Sequence, residues 1–194
     1  MKLVIIDYGA GNVQSVKYAM NRLGITAVLS KDPEVIKSAD KIIFPGVGAA
    51  GPAMEALKEN GLDKLIPTLK QPFFGICLGM QLMCTHSEEG DVNGLGIIDV
   101  NVQKFVGEEK IPHMGWNNVT ELKSTLFEGF NEDSQLYFVH SYYVPVNDYT
   151  IAQCSYINDF SAAIQKDNFY ACQFHPEKSG DVGEQLLKKF IALP

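Results

Sequence analysis

Cys77 lies in the run Pro72-Phe73-Phe74-Gly75-Ile76-Cys77-Leu78-Gly79-Met80-Gln81, with glycine two positions before it and two positions after. Apolar, β-favouring residues lead in, and a helix-compatible run from Leu78 to Cys84 follows. This is the strand–nucleophile–helix pattern G-x-S-x-G with cysteine in place of serine. A nucleophile on so sharp a turn crowds its neighbours, and glycine has no Cβ to clash. The turn lifts the sulfur above the C-terminal edge of a sheet and sets it at the positive end of a helix, which favours negative charge there. An arbitrary cysteine ending a strand is ordinarily core. The two glycines at these offsets shift the reading towards nucleophilic catalysis.

A nucleophilic cysteine needs a base, and a candidate lies far along the chain in Phe169-Tyr170-Ala171-Cys172-Gln173-Phe174-His175-Pro176-Glu177. Alternating Tyr170, Cys172 and Phe174 predict a half-buried strand that ends at His175. Pro176 pushes His175 towards extended backbone, where residues two apart project to the same side. Glu177 then reaches the imidazole, giving a base and its orienting carboxylate in one short unit. A third segment, the strand Lys41-Ile42-Ile43-Phe44 followed by Pro45-Gly46-Val47-Gly48-Ala49-Ala50-Gly51, is a glycine-rich loop. Its backbone N–H groups can hold an oxyanion, with the amide of Leu78 as the second donor. Glycines on both sides of Val47 leave its peptide free to adopt more than one orientation. The loop lacks the glycine–lysine and G-x-G-x-x-G patterns of nucleotide sites.

Taken together, these segments resemble the class I (triad-type) glutamine amidotransferases over the whole chain. The marks shared with that family are Pro45-Gly46-Val47-Gly48, Gly75 to Gln81 and His175-Pro176-Glu177. Three further segments are similar to the glutaminases that serve histidine biosynthesis: Asp7-Tyr8-Gly9-Ala10-Gly11-Asn12, Pro112-His113-Met114-Gly115-Trp116-Asn117 and Phe138-Val139-His140-Ser141-Tyr142. The resemblance implies hydrolysis of glutamine by Cys77, His175 and Glu177, with Val47 and Leu78 as the oxyanion donors. It implies substrate contacts at Gly46, Gly48, Gln81, Glu89, His140, Ser141 and Tyr142. It implies no cofactor and no metal. The partner implied is a (β/α)8-barrel cyclase that receives the ammonia in a heterodimer, with Tyr8, Asn12, Trp116 and Lys178 at the interface. A glutaminase feeding pyridoxal phosphate synthesis and a non-catalytic regulatory subunit are the alternatives. The Asp7–Asn12 and Pro112–Asn117 segments speak against the former, the intact triad against the latter.

Length and composition agree. The 194 residues are 46% hydrophobic, enough for one sizeable core and short for two domains. A net charge of −7 argues against nucleic-acid binding. No apolar run approaches the roughly 20 residues needed to span a bilayer, and Asp7 arrives too early for a signal peptide. Cys77, Cys84, Cys154 and Cys172 form no C-x-x-C pair, and His86, His113, His140 and His175 show no metal-ligand spacing. The cysteine spacing suits a reducing cytoplasm, and the histidine spacing makes a zinc site an unfavoured reading.

The elements that must position the site follow from periodicity. Leu3 to Asp7 is a buried parallel strand, and Val13, Val16, Met20 and Leu23 share a helix face that Gly24 terminates. Ala27 to Leu29 is a second strand, and Asp32-Pro33 opens a short helix. Ile42 to Phe44 is the third strand, Pro52 to Lys70 is helical, and Phe73 to Ile76 enters the elbow. After Ile97, Val100–Phe105, Asn118–Leu122, Gln135–Val139, Thr150–Cys154 and Ser161–Gln165 read as strands. A capped helix from Ser179 to Leu193 closes the chain, with Val182, Leu186, Phe190 and Ile191 at core spacing. The expectation is a single α/β domain over residues 1–194. By resemblance it has a central mixed, largely parallel sheet, helices on both faces and the nucleophile elbow after a central strand.

Overall fold

The computed structural model of the chain describes residues 1–9, 12–131 and 133–194. Ala10 and Gly11 of the N-terminal motif therefore lie outside the described residues. The first half alternates strands and helices: β1 (Leu3–Ile6), α1 (Val13–Arg22), β2 (Val28–Ser30), α2 (Pro33–Lys37), β3 (Lys41–Gly46), α3 (Ala50–Glu59), α4 (Leu62–Leu65), β4 (Phe73–Cys77) and α5 (Leu78–Leu82). The second half is strand-rich: β5 (Cys84–Ser87), β6 (Val92–Asn93), β7 (Ile98–Lys104), β8 (His113–Asn118), β9 (Gln135–His140), β10 (Tyr142–Tyr143), β11 (Thr150–Ser155), β12 (Asp159–Lys166) and β13 (Phe169–Cys172), closed by α6 (Gly180–Ala192).

The central sheet runs β11-β12-β13-β4-β3-β1-β2. The five strands from β13 to β2 are parallel, and β12 and β11 extend the sheet antiparallel. This is the mixed, largely parallel sheet expected. Alternation along each strand divides the core in two. Leu3, Ile5, Ile43, Phe74 and Ile76 face α1 and α6, where they meet Val16, Met20, Leu186 and Phe190. Val4, Ile6, Ile42, Phe44 and Phe73 face the other way, onto α2, α3, α4 and α5 through Ile36, Met54, Leu57, Leu62 and Met80. A strand with both faces covered must be apolar throughout, which is why β1 reads Leu-Val-Ile-Ile with every residue fully buried.

Local signals place the helix ends. The Asp32 carboxylate accepts from the Glu34 amide at 2.8 Å and Pro33 occupies the first turn of α2. Gly24, at φ +76°, turns the chain out of α1. Four expectations are corrected. The helix after Cys77 stops at Leu82, and Cys84 instead starts a strand of a second, four-stranded sheet ordered β10-β7-β5-β6. The strand expected at Asn118–Leu122 lies earlier, as β8, paired antiparallel with β9. Glu177 sits in a one-turn 3-10 helix, Pro176–Lys178, rather than in extended chain. Ser179 precedes α6 without capping it, because its hydroxyl donates to the His175 carbonyl at 2.6 Å and accepts from the Tyr137 amide at 3.0 Å.

Close approach of α5 to the sheet explains the glycines of the motif. A Cβ on Gly79 would stand 2.1 Å from the Phe44 carbonyl oxygen, and one on Gly75 would stand 2.8 Å from Met83 Sδ. A Cβ on Gly46 would meet the Gly79 nitrogen at 2.7 Å. The contacts at Gly79 and Gly46 are with backbone, which cannot swing aside as the Met83 side chain could. Gly79→Ala should therefore destabilise the chain by roughly 1–3 kcal/mol through overpacking. A urea melt measures this directly, and an unchanged midpoint would show that α5 is free to slide off β3.

Candidate active site

Three adjacent parallel strands build the site at their C-terminal ends, the edge at which open α/β sheets bind ligands. β4 ends at Cys77, which pairs across the ladder with Gly46 of β3, so the Val47 peptide begins beside Cys77. On the other side β13 runs parallel to β4, with Cys172 opposite Ile76, and His175 follows three residues later. Cys77 itself has φ 51° and ψ −108°, a conformation that L residues rarely adopt. That strain is the price of turning from strand to helix within one residue, and it aims the side chain out of the sheet.

His175 and Glu177 meet as expected. Nδ1 of His175 lies 2.8 Å from Glu177 Oε1, and the two side chains are 1% and 2% exposed. The His175 backbone is pinned on both ends: its amide donates to the Tyr137 carbonyl at 2.8 Å, and its carbonyl accepts from Ser179 Oγ. Burial pulls the imidazole pKa down, but Cys77 and Glu177 together outweigh it and hold the pKa up at about 10. Even so, His175 Nε2 makes no hydrogen bond. It and Glu177 Oε2 are the buried side-chain nitrogen and oxygen atoms without a partner among the described residues. Cys77 nonetheless raises the imidazole pKa through its side chain, by hydrogen bonding as well as by charge, as befits a thiol close to the ring's open nitrogen.

A pocket of about 300 Å³ opens onto Cys77 and His175. Val47, Gly48 and Leu78 line one side of it, while Gln81 and Glu89 line the wall beyond. His140, Ser141 and Tyr142 also line it. Gly46 faces a smaller space behind the elbow, shared with Asn12, Val16 and Glu177, and packs on Leu78. Glu89 is half-buried and accepts from the Ala50 amide at 2.9 Å. Burial raises its pKa and that bond opposes the rise. Glu88, its neighbour, turns outward and accepts from the Lys104 amide.

His140 has no free nitrogen. Its Nδ1 is 2.7 Å from the Tyr142 carbonyl, which only accepts, so Nδ1 carries the proton. Nε2 must then accept, from His113 Nδ1 at 3.0 Å, and His113 Nε2 accepts in turn from Asn117 Nδ2 at 3.3 Å. Burial pushes the pKa of His140 down to about 3 and that of His113 to about 4, so both rings are neutral at pH 7. The other thiols are inert. Burial raises Cys84 and Cys154 to about 12 and Cys172 well above its ordinary range.

Of the residues expected at a partner surface, Trp116 is 55% exposed and Lys178 is exposed. Asn12 is half-buried and caps α1, accepting from the Ser15 amide at 3.3 Å. Tyr8 is a correction. It is 3% exposed, its ring packs on Phe44, and its hydroxyl donates to the Pro45 carbonyl at 3.2 Å. An aromatic ring after a buried strand gains more from the core beneath the loop than from solvent.

Gln173 is the site residue that sequence reasoning missed. Its side chain is fully buried and its Nε2 lies 3.5 Å from Cys77 Sγ. The alternation Tyr170, Cys172, Phe174 drew attention to one face of β13 and its continuation. A glutamine on the opposite, equally buried face was the available signal.

The family model "Glutamine amidotransferase class-I" matches residues 4–193. A protein from Bacteroides thetaiotaomicron, "Imidazole glycerol phosphate synthase subunit HisH", is 59% identical over the full length of both chains. The protein of the same name from Escherichia coli K12 is 50% identical, again over both full lengths. The chain belongs to the class I glutamine amidotransferases, among these HisH subunits. A solved structure described as a glutamine amidotransferase shares the fold, with a TM-score of 0.77 at 18% identity over 97% of this chain and 96% of its own.

The Glu177 carboxylate fixes which nitrogen of His175 carries the proton. Glu177→Gln should lower the catalytic rate by up to about 10⁴, the loss seen when an acid orienting a histidine becomes an amide, while KM changes little. It should also lower the His175 pKa, because one of the negative charges raising it is gone. Steady-state kinetics and an NMR titration of His175 check the two outcomes.

Proposed function

We propose that the chain hydrolyses glutamine to glutamate and ammonia, and that the ammonia passes to a separate (β/α)8-barrel cyclase forming imidazole glycerol phosphate in histidine biosynthesis. The observation that carries this reading is the strained Cys77 sharing a pocket with a histidine whose far nitrogen is held by Glu177 at 2.8 Å while its near nitrogen is left unpaired. In this reading the thiol proton rests on His175 Nε2, and the Cys77 thiolate attacks the side-chain amide carbon. The amides of Val47 and Leu78 stabilise the oxyanion, each such donor contributing about 2.7–4 kcal/mol. Collapse forms the thioester and expels ammonia, which takes its proton from His175. Water, deprotonated by the same ring, then attacks the thioester and glutamate leaves, restoring the Cys77 thiolate beside protonated His175.

Glutamine lies along the pocket wall, its amide oxygen at Gly48 and the oxyanion amides, and its α-amino group near Glu89. Gln81, Ser141 and Tyr142 bound it. His140 shapes the wall with its ring, since both nitrogens are already bonded. Full-length identity to proteins named as HisH subunits supports this assignment over a glutaminase serving pyridoxal phosphate, and the word subunit supports a partner. Among the described residues no helix is long and apolar enough to cross a membrane. Four free cysteines suit a reducing compartment, and we place the activity in the cytoplasm.

Cys77→Ala should abolish glutamate release by the chain assembled with its cyclase, while cyclase turnover on added ammonium salt survives. Glutamate release at a near-wild-type rate would end the reading. Trp116, with its indole open to solvent and its edge on Tyr137 at 5.8 Å, is a suitable anchor for the partner. Trp116→Ala should weaken cyclase binding by at least about 2 kcal/mol, the range of interface hot spots, and leave the melting temperature of the isolated chain nearly unchanged. Calorimetric titration and a thermal melt measure both.

A further inference from the structure

The hydrogen bonds around Gln173 can be oriented from one carbonyl. Gln81 Nε2 donates to the Tyr142 carbonyl at 2.9 Å. Because that carbonyl only accepts, the NH₂ end of Gln81 is fixed there, as is the proton on His140 Nδ1. The same Gln81 Nε2 lies 2.9 Å from Gln173, so the Gln173 atom facing it must be the acceptor Oε1. The remaining end of Gln173, Nε2, is therefore an N–H donor, and it faces Cys77 Sγ at 3.5 Å. Gln173 is fully buried, and its backbone amide is tied to the Ala162 carbonyl at 2.8 Å, so the side chain has little room to turn elsewhere. The Val139 carbonyl, 3.9 Å from the sulfur, is the acceptor that a protonated thiol would use. The sulfur thus has one neighbour suited to each protonation state.

We infer that Gln173 is a further catalytic residue: its side-chain N–H, oriented by Gln81, donates to Cys77 Sγ and stabilises the sulfur when it is anionic. This rests on Cys77 being the nucleophile, as proposed above. The bond acts twice in each turnover. It stabilises the thiolate that attacks the amide carbon while the proton rests on His175, and again the thiolate released when water breaks the thioester. A hydrogen bond to a charged atom is stronger than one to a neutral atom, so the stabilisation is specific to the ionised sulfur. Gln81 is a positioning residue in this scheme, because it acts on the sulfur only through Gln173. The titratable groups around the sulfur are His175 and Glu177 after β13, Cys172 in β13, Tyr8 after β1, His140 at the end of β9 and Glu89 across the pocket.

The test is the pH dependence of Cys77 alkylation by iodoacetamide in the full chain, with the labelled peptide read by mass spectrometry. Gln173→Leu removes the donor at similar volume. Gln173→Glu keeps the acceptor for Gln81 and turns a carboxylate oxygen towards the sulfur. The midpoint of alkylation should move up by about one pH unit in the leucine variant and further in the glutamate variant. kcat should fall by about 10–100-fold in the leucine variant, the range for losing a hydrogen bond to a charged group, with KM for glutamine little changed. A merely structural role would not rank the two variants by charge. If the leucine variant does not fold, the glutamate variant decides alone. A midpoint equal to wild type in the folded variants overturns the inference. Because the readout is sulfur reactivity, that result leaves the glutaminase reading intact, whereas glutamate release by Cys77→Ala would overturn the reading without moving these midpoints.

Discussion

The backbone of α5 rests on the end of β3, with the Phe44 carbonyl oxygen where a Cβ on Gly79 would have to be. This contact lets the chain reverse from strand to helix at one residue, and Cys77 pays with a positive φ of 51°. Backbone strain of that kind costs on the order of 1–3 kcal/mol and persists only where the surroundings hold it. Here they do: β4 is flanked by β3 and β13, and both core layers pack on it. The Val47 loop and His175 reach Cys77 because their strands flank β4 in the same direction. If the elbow relaxed, His175 and the Val47 loop would keep their places and lose contact with Cys77.

Around this geometry the polar side chains are arranged so that almost nothing is left over. One carbonyl, that of Tyr142, receives both Gln81 Nε2 and His140 Nδ1. From it a chain of bonds runs one way to Gln173 and Cys77, and the other way through His113 to Asn117. Buried polar groups cost free energy unless paired, and a fully paired network defines one arrangement. Against that background, unpaired His175 Nε2 and Glu177 Oε2 stand out. The Glu177 carboxylate meets the ring through one oxygen only, at Nδ1.

The second sheet, β10-β7-β5-β6, closes the pocket on the side away from the triad. Its strand β5 begins directly after the elbow helix and carries the chain to Glu89, while β10 brings Tyr142. At 18% identity to another amidotransferase structure, what is retained is the fold as a whole. At 50–59% identity, full-length relatives share a name that points to a subunit. Stacked His113, Tyr156 and Phe138 lie beneath the β8–β9 ribbon, so the segment bearing exposed Trp116 rests on a firm aromatic layer.

Much of this was legible in the chain itself. Glycines at 75 and 79, the His-Pro-Glu unit and the Pro-Gly-Val-Gly loop are short-range signals, because each answers a local steric or hydrogen-bonding demand. The alternating and continuous apolar runs likewise disclosed the parallel core, since burial on both faces leaves a strand no polar position. Other features depend on partners remote in sequence. The strand at Cys84 exists because β7 pairs with it, and nothing within Cys84–Ser87 outweighs helix continuation. Tyr8 reads as a loop residue and is buried because the Pro45 strand end lies over it. Ser179 reads as a helix cap and is taken by His175 and Tyr137. Gln173 reads as an unremarkable polar residue, and only the packing of β13 against β4 sets its amide on the sulfur. Sequence alone determined which groups could react. The tertiary structure decided which of their atoms are bonded and which are free, because that depends on distances between strands that local sequence does not encode.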